Sequence, residues 1–243
     1  INITRKFYNN LEMTLIDKVV ENGKVLINAD IEFNDDGSLA NNYKLDGKVI
    51  NTNLLLINRK PINKLNFDFL IKDKNYKFKE INLKYYDLLL NSKEINVEKK
   101  EKKFITSGNF KTSELKLNKK ELENIFNKNN FNYKIDQIQF SSENEFSFEV
   151  GNKFKIKKFK INSNLNLINA IINSLPKEIK KRLNIKDKNI NLLKNAIQFK
   201  YENNIFNVTG NGKFKIDNNE NDINYHVSNE KDKINFKSDI QFK

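Results

Sequence analysis

The residue types that most often carry chemistry are few in this chain and poorly spaced for it. Its single histidine, His226, sits in Ile223-Asn224-Tyr225-His226-Val227, an alternating stretch with no second base or ligand near it in sequence. There are no cysteines, so a thiolate nucleophile, a disulfide and a cysteine metal site are all excluded. The seven glycines never reach the density of a phosphate-cradling loop. Glu32, Asn34, Asp36 and Gly37 imitate the start of a calcium loop. The closing bidentate position would be Tyr43, which cannot ligate that way, so Asp35-Asp36-Gly37 is expected to be a hairpin turn. Asp217, Glu220 and Asp222 lack the glycine and are expected in a polar turn. Spacing alone leaves a glycosidase-type carboxylate pair open, but the chain has no tryptophan for sugar stacking. The expectation is a protein that is not an enzyme, with no catalytic residues, no metal and no cofactor.

The elements that carry these residues follow from composition. Hydrophobic residues make up 38% of 243 residues, with 19 phenylalanines, which excludes a disordered chain despite 31% charged residues. Glycine and proline are scarce, at seven and two, and 45 asparagines are available for turns because Asn tolerates left-handed backbone. The net charge of +13 invites a nucleic-acid reading. Only Arg5, Arg59 and Arg182 are arginines, and the lysines alternate with apolar residues, as in Lys153-Phe154-Lys155-Ile156. That pattern marks solvated strand faces, so no nucleic-acid partner is expected, and attraction to anionic headgroups survives as a secondary effect. No stretch approaches 18 uninterrupted apolar residues. The chain begins at Ile1 without a signal-like segment, and is expected to be an interior piece of something longer.

Period-2 alternation dominates. Leu65, Phe67, Phe69 and Ile71 share a face opposite Lys64, Asn66, Asp68 and Lys72; Asp73-Lys74-Asn75 should turn, and Tyr76 and Phe78 resume the pattern. Phe199 and Tyr201 lead into Asn203-Asn204, a two-residue turn, and Phe206 and Val208 leave it. Phe214 and Ile216 are expected on the next strand. Asn22-Gly23 and Asp35-Asp36-Gly37 read as hairpin turns around Val25, Ile27, Ala29, Ile31 and Phe33. Slips of phase between Ile135 and Ile138, and between Ile156 and Phe159, read as β-bulges. The segment from Phe7 to Val20 is expected as strand. Asn118-Lys119-Lys120-Glu121 is a capping box followed by Leu122, Ile125 and Phe126. A second helical patch is expected from about Asn166 to Leu183, with Leu167, Ala170 and Ile171 in its first part and Ser174 and Pro176 opening its second. Glycines before or early in strands, at Gly47, Gly108, Gly210 and Gly212, suggest a duplicated meander module. The expected domain plan is a single β-rich segment, or two repeat modules at about 1–117 and 129–243 separated by a short helix at 118–128.

The fold class expected is mostly β: a long curved antiparallel meander of roughly 12 to 15 strands, with one or two short helices. A one-sided sheet must cover its apolar face, and it can do so as a sandwich, as a barrel, or as an open groove filled by an apolar ligand.

A resemblance bears on that choice. The strands Ile62-Asn63-Lys64-Leu65-Asn66-Phe67-Asp68-Phe69, Tyr76-Lys77-Phe78-Lys79-Glu80-Ile81-Asn82-Leu83 and Leu90-Asn91-Ser92-Lys93-Glu94-Ile95-Asn96-Val97, then Phe104 to Phe110 around Gly108, look like those of the AsmA-like proteins. So does Ile197 to Ile216, with Val208-Thr209-Gly210-Asn211-Gly212-Lys213-Phe214, closest to the YhdP/TamB branch. The resemblance implies a repeating β-groove lined with apolar side chains, carrying phospholipid through the periplasm in a parent protein anchored in the inner membrane. It implies lipid contact at Phe67, Phe69, Ile71, Tyr76 and Phe78 in one hairpin. In the second stretch it implies the same for Phe199, Tyr201, Phe206, Val208, Phe214 and Ile216. The lysine load and the expected 166–183 helix depart from the family pattern. The alternative is a non-enzymatic β-sandwich serving adhesion or scaffolding.

Overall fold

A computed structural model describes residues 20–37, 40, 42–55, 61–72, 75–86, 88–101, 103–126, 135–151, 155–173, 189–216, 219–230 and 233–241. Twelve strands follow one another: β1 (Val20–Asp30), β2 (Lys44–Leu55), β3 (Pro61–Lys72), β4 (Asn75–Tyr85), β5 (Leu88–Lys100) and β6 (Lys103–Asn118), then β7 (Ile135–Gly151), β8 (Ile156–Ile172), β9 (Ile190–Glu202), β10 (Ile205–Ile216), β11 (Asn219–Glu230) and β12 (Lys233–Gln241). Among the described residues one helix, α1 (Lys119–Phe126), lies between β6 and β7. The sheet's order is the order of the chain, β1 through β12, so it is an antiparallel meander that does not close on itself. Among the described residues β1 and β12 do not pair with each other, so the barrel does not describe it. The chain divides into two compact units, residues 1–109 with 150–153, and residues 110–149 with 154–243.

Within the first unit the register follows from alternation. Val25, Val49 and Phe67 form one cross-strand row. Ile27, Gly47, Phe69, Phe78 and Ile95 form the next, and Ala29, Leu45, Ile71, Tyr76 and Val97 the third. The opposite face carries Lys48, Asp68, Lys79 and Glu94 in register, with Lys48 Nζ 3.3 Å from Asp68 and Lys79 Nζ 4.0 Å from Glu94. Side chains alternating this way leave one apolar and one charged face.

Bulges interrupt the rows, and asparagine makes them tolerable. Asn51, Lys64 and Glu80 in the first unit, and Lys158 and Lys194 in the second, take φ between 47° and 53°. A non-glycine residue there costs about 1–2 kcal/mol and frees backbone groups from the ladder. Asparagines on the neighbouring strand accept two of those N–H groups, Asn66 Oδ1 from Asn51 at 2.9 Å and Asn53 Oδ1 from Lys64 at 3.1 Å, and Asn109 Oδ1 accepts in the same way from Lys93 at 3.1 Å. Asparagine amides also donate to the carbonyl two residues back, Asn66 to Lys64 at 2.7 Å, Asn82 to Glu80 at 3.0 Å, Asn195 to Leu193 at 2.9 Å and Asn221 to Asn219 at 3.2 Å. Much of the asparagine therefore serves bulges as well as turns.

Several expectations need correction. Asn22-Gly23 makes no hairpin; it lies inside β1, where Gly23 has φ 149° and the register to β2 shifts twice. Residues Asn166 to Ile172 are not helical but belong to β8, paired with β9 from Lys160 to Ile172. Leu167 and Ala170 are both buried there, and two buried residues three apart across a break in alternation imitate a helical stripe. Phe214 and Ile216 lie on β10 itself, the strand that carries Phe206, rather than on the next one. Glu220 and Asp222 are strand residues of β11, and no turn includes them. The expectations for residues 7–19, 73–74, 174–188 and 217–218 fall outside the described residues.

Other local signals form as their chemistry dictates. Asn203 and Asn204 both take positive φ, 52° and 63°, in the turn joining β9 and β10. Gly37 (φ 79°) closes its turn by donating to the Asn34 carbonyl at 2.8 Å. The capping box is reciprocal: the Asn118 N–H donates to Glu121 Oε2 at 2.7 Å and the Glu121 N–H to Asn118 Oδ1 at 3.1 Å. Leu122, on the helix, is 3% exposed.

Candidate functional site

The sheet's apolar face is the candidate site, and each unit presents its own section. In the first unit Phe69 lies opposite Phe78 and Ile71 opposite Tyr76. The Phe67 ring meets Phe78 edge-on at 5.5 Å and Phe69 at 6.4 Å, and Tyr76 meets Phe104 at 6.4 Å. These contacts suit the ring quadrupole, positive edge to negative face. All five residues singled out from this hairpin, Phe67, Phe69, Ile71, Tyr76 and Phe78, are half-buried.

In the second unit Tyr201 lies opposite Phe206 and Phe199 opposite Val208. A chain of rings leads to them across the strands, Phe110 to Phe146 (6.1 Å), Phe146 to Phe148 (5.9 Å), Phe148 to Phe159 (6.5 Å) and Phe159 to Tyr201 (5.8 Å). Alternation in β6, β7 and β8 could have found Phe110, Phe146, Phe148 and Phe159, since each repeats the period-2 signal. Val208 continues through Val227 to Phe236. Phe214 and Ile216 are at the far end of β10, beyond Gly210 and Gly212; Phe214 is 5% exposed and paired with Leu192 and Asn221. The structure does not bring those two into the Phe199–Val208 patch.

Along the bulges the apolar face carries a column of small or amide side chains. Thr52 faces Leu65, and Ile81 faces Ser92, all four buried. In the second unit Thr112 and Ser142 share a hydrogen bond at 3.0 Å, and Asn144 donates to Ser142 at 2.9 Å. Asn195 is fully buried and donates to both the Leu193 and Lys213 carbonyls.

What distinguishes this face from a folded core is its exposure. Among the described residues the buried hydrophobic side chains are Leu65, Ile81, Leu117, Leu122, Leu167, Ala170 and Phe214. The rows of rings lie beside them half-open, and neither unit has a second sheet of its own among the described residues. Burial of Tyr225, which lies over Gly210, raises its hydroxyl above the usual tyrosine value.

The polar face offers a different chemistry. Glu94 is held below the usual carboxylate value first by the Asn96 amide and then by the charges of Lys77 and Lys79, against desolvation. A cavity of about 860 Å³ in the second unit is lined largely by short polar residues such as Ser141, Asn166, Gln198 and Asn211, beside the 2.6 Å Lys111–Glu143 ion pair. His226 stands on β11 opposite Thr209 and Lys237. Among the described residues no group of three or more His, Cys, Asp or Glu is placed to hold a metal, and no helix is long and apolar enough to cross a membrane. No family model, curated protein or solved structure matches the chain, so its function is argued from the site's own geometry.

Proposed function

We propose that the apolar face of this sheet binds lipid acyl chains, and that the protein acts as a segment of a non-enzymatic phospholipid conduit in the periplasm, in a parent anchored to the inner membrane. The observation that carries the reading is two half-open ring clusters, Phe67, Phe69 and Phe78 in one unit and Phe159, Tyr201 and Phe206 in the other: large rings grouped across neighbouring strands yet left incompletely covered. Contiguous large rings left partly open are the kind of surface that takes an apolar partner. Each methylene that leaves water against such a surface gains up to about 0.8 kcal/mol, and headgroups can stay solvated at the lip of the groove. Binding by dispersion and desolvation needs no acid, base or metal. Adhesion or scaffolding by the same sheet is the competing use.

Native mass spectrometry and lipid extraction of gently purified protein test the proposal. Phospholipid adducts that survive purification and exchange with phosphatidylethanolamine–phosphatidylglycerol vesicles support it. A folded protein that carries none and takes none from vesicles refutes it.

A further inference from the structure

We infer that the cavity of the second unit takes the ester carbonyls of a bound lipid, which accept hydrogen bonds from Tyr225 and from the Thr112–Ser142 pair while an acyl chain lies over the neighbouring rings. This rests on the acyl-binding reading of the apolar face, and adds the part of the lipid that is recognised by hydrogen bonding. The cavity, of about 860 Å³, borders that face along one cross-strand row. Leu165 lies opposite Ile197, Ile197 opposite Gly210 and Gly210 opposite Tyr225, while Thr112 and Ser142 line the other end. Phe199, Val208 and Val227 stand two residues farther along the same strands, about 7 Å away and on the same side of the sheet. The row leaves room because Gly210 has no side chain and Thr112 and Ser142 have short ones.

Both ends of the row carry a hydrogen-bond donor that nothing uses. The Ser142 N–H donates to Thr112 Oγ1 at 3.0 Å, the Asn144 amide donates to Ser142 Oγ at 2.9 Å, and the two hydroxyls share a bond at 3.0 Å. Two hydroxyl protons and one shared bond leave one proton unused among the described residues. The Tyr225 hydroxyl is half-buried, has no hydrogen-bond partner among the described residues, and is shifted by burial alone. A desolvated donor without an acceptor is unfavourable, and a ligand's acceptor relieves it. Charge is missing from the row. Of the residues that line the cavity only Lys111 and Glu143 are charged, and they pair with each other at 2.6 Å. A phosphate or a free carboxylate would enter without a counter-ion, whereas an ester carbonyl is an uncharged acceptor joined directly to an acyl chain. Neutral acceptors at the end of a long apolar chain match the donors and the rings beside them.

A lipid pair that differs only in the carbonyls tests this. Vesicles holding phosphatidylglycerol in its diacyl form and its dialkyl ether form, in equal amounts, are offered to the full chain, and native mass spectrometry reads which lipid is carried. Wild type is expected to carry at least about fivefold more of the ester lipid, the worth of one hydrogen bond. Tyr225→Phe keeps the ring over Gly210 and loses only the donor, so it should reduce that preference about fivefold. If wild type carries both lipids equally, or if Tyr225→Phe keeps the full preference, the inference is overturned while the acyl-binding reading stands. If neither lipid is carried, both are overturned.

Discussion

Tyr225 lies across the backbone of Gly210, its partner in the β10–β11 register, so closely that a Cβ on Gly210 would stand 2.6 Å from the ring's Cε2 and nearer still to Cζ. The missing side chain is what lets the ring lie down on the sheet. Gly210→Ala is expected to push the ring off and cost about 1–3 kcal/mol, the usual penalty for overpacking. Thermal melts of Gly210→Ala and of Gly210→Ala with Tyr225→Ser check this. The second change removes the ring and should return much of the loss; equal destabilisation of both variants would show that the glycine is needed for another reason.

The same ring makes stability depend on pH. Burial raises the Tyr225 hydroxyl above its unfolded value. The folded state therefore holds that proton after the unfolded chain has released it, and this contribution is complete below the ordinary tyrosine value and lost as pH rises through the raised one. Lysines titrate in the same range, so the informative quantity is the difference between wild type and Tyr225→Phe. Urea midpoints should diverge above about pH 10, with wild type falling faster. Parallel curves would mean that the hydroxyl is solvated.

Much of the fold is legible because alternation is a strong signal and two-residue turns have strict chemistry. Phe69 could be set against Phe78, and Tyr201 against Phe206, once Asn203-Asn204 fixed the hairpin register. The bulges were harder to read. Lys64, Glu80 and Lys194 have no intrinsic taste for positive φ; Asn53 on the neighbouring strand accepts the Lys64 N–H, while Asn82 and Asn195 bond backbone carbonyls at or beside Glu80 and Lys194, and nothing in the residue types marks these asparagines off from those in turns. Beside the Lys194 bulge of β9, burial in β8 passes from Leu167 to Ala170, and that spacing of three makes Leu167, Ala170 and Ile171 look helical although they lie in a strand. Asn22-Gly23 misled for a related reason, since a glycine that permits a turn equally permits a bulge. Phe214 resumes the alternation of Phe206 and Val208 on one strand, with two glycines between them that look like a break.

Asn195 shows what those amides contribute. Fully buried, it donates to the Leu193 carbonyl at 2.9 Å and the Lys213 carbonyl at 3.0 Å, tying the Lys194 bulge to β10. Asn195→Ala should cost about 1–3 kcal/mol by leaving buried carbonyls unmet. Asn195→Asp should cost more, because it aims a carboxylate at two acceptors. Asn235→Ala, on the exposed β12, should stay within about 0.5 kcal/mol of wild type. Chemical denaturation ranks the three, and an Asn195→Ala protein as stable as wild type would remove the bulge argument.

Charge placed on the apolar face separates an acyl-binding surface from a core. Phe69 and Phe206 are half-buried, each in a cross-strand row with another aromatic residue, Phe78 and Tyr201. A carboxylate at a half-open position keeps part of its hydration, so Phe69→Asp and Phe206→Asp should each lose about 1–3 kcal/mol and still fold. The same carboxylate meets any acyl chain lying along the row and should abolish phospholipid retention. His226→Ala, on the opposite face, is the control and should change neither stability nor bound lipid. Circular dichroism and lipid extraction on the three variants decide the matter. Collapse of both aspartate variants would mean that the face is a dry core, with adhesion or scaffolding left as its use. Folded aspartate variants that still carry lipid would mean that lipid binds elsewhere, and the half-open rings would then need another occupant.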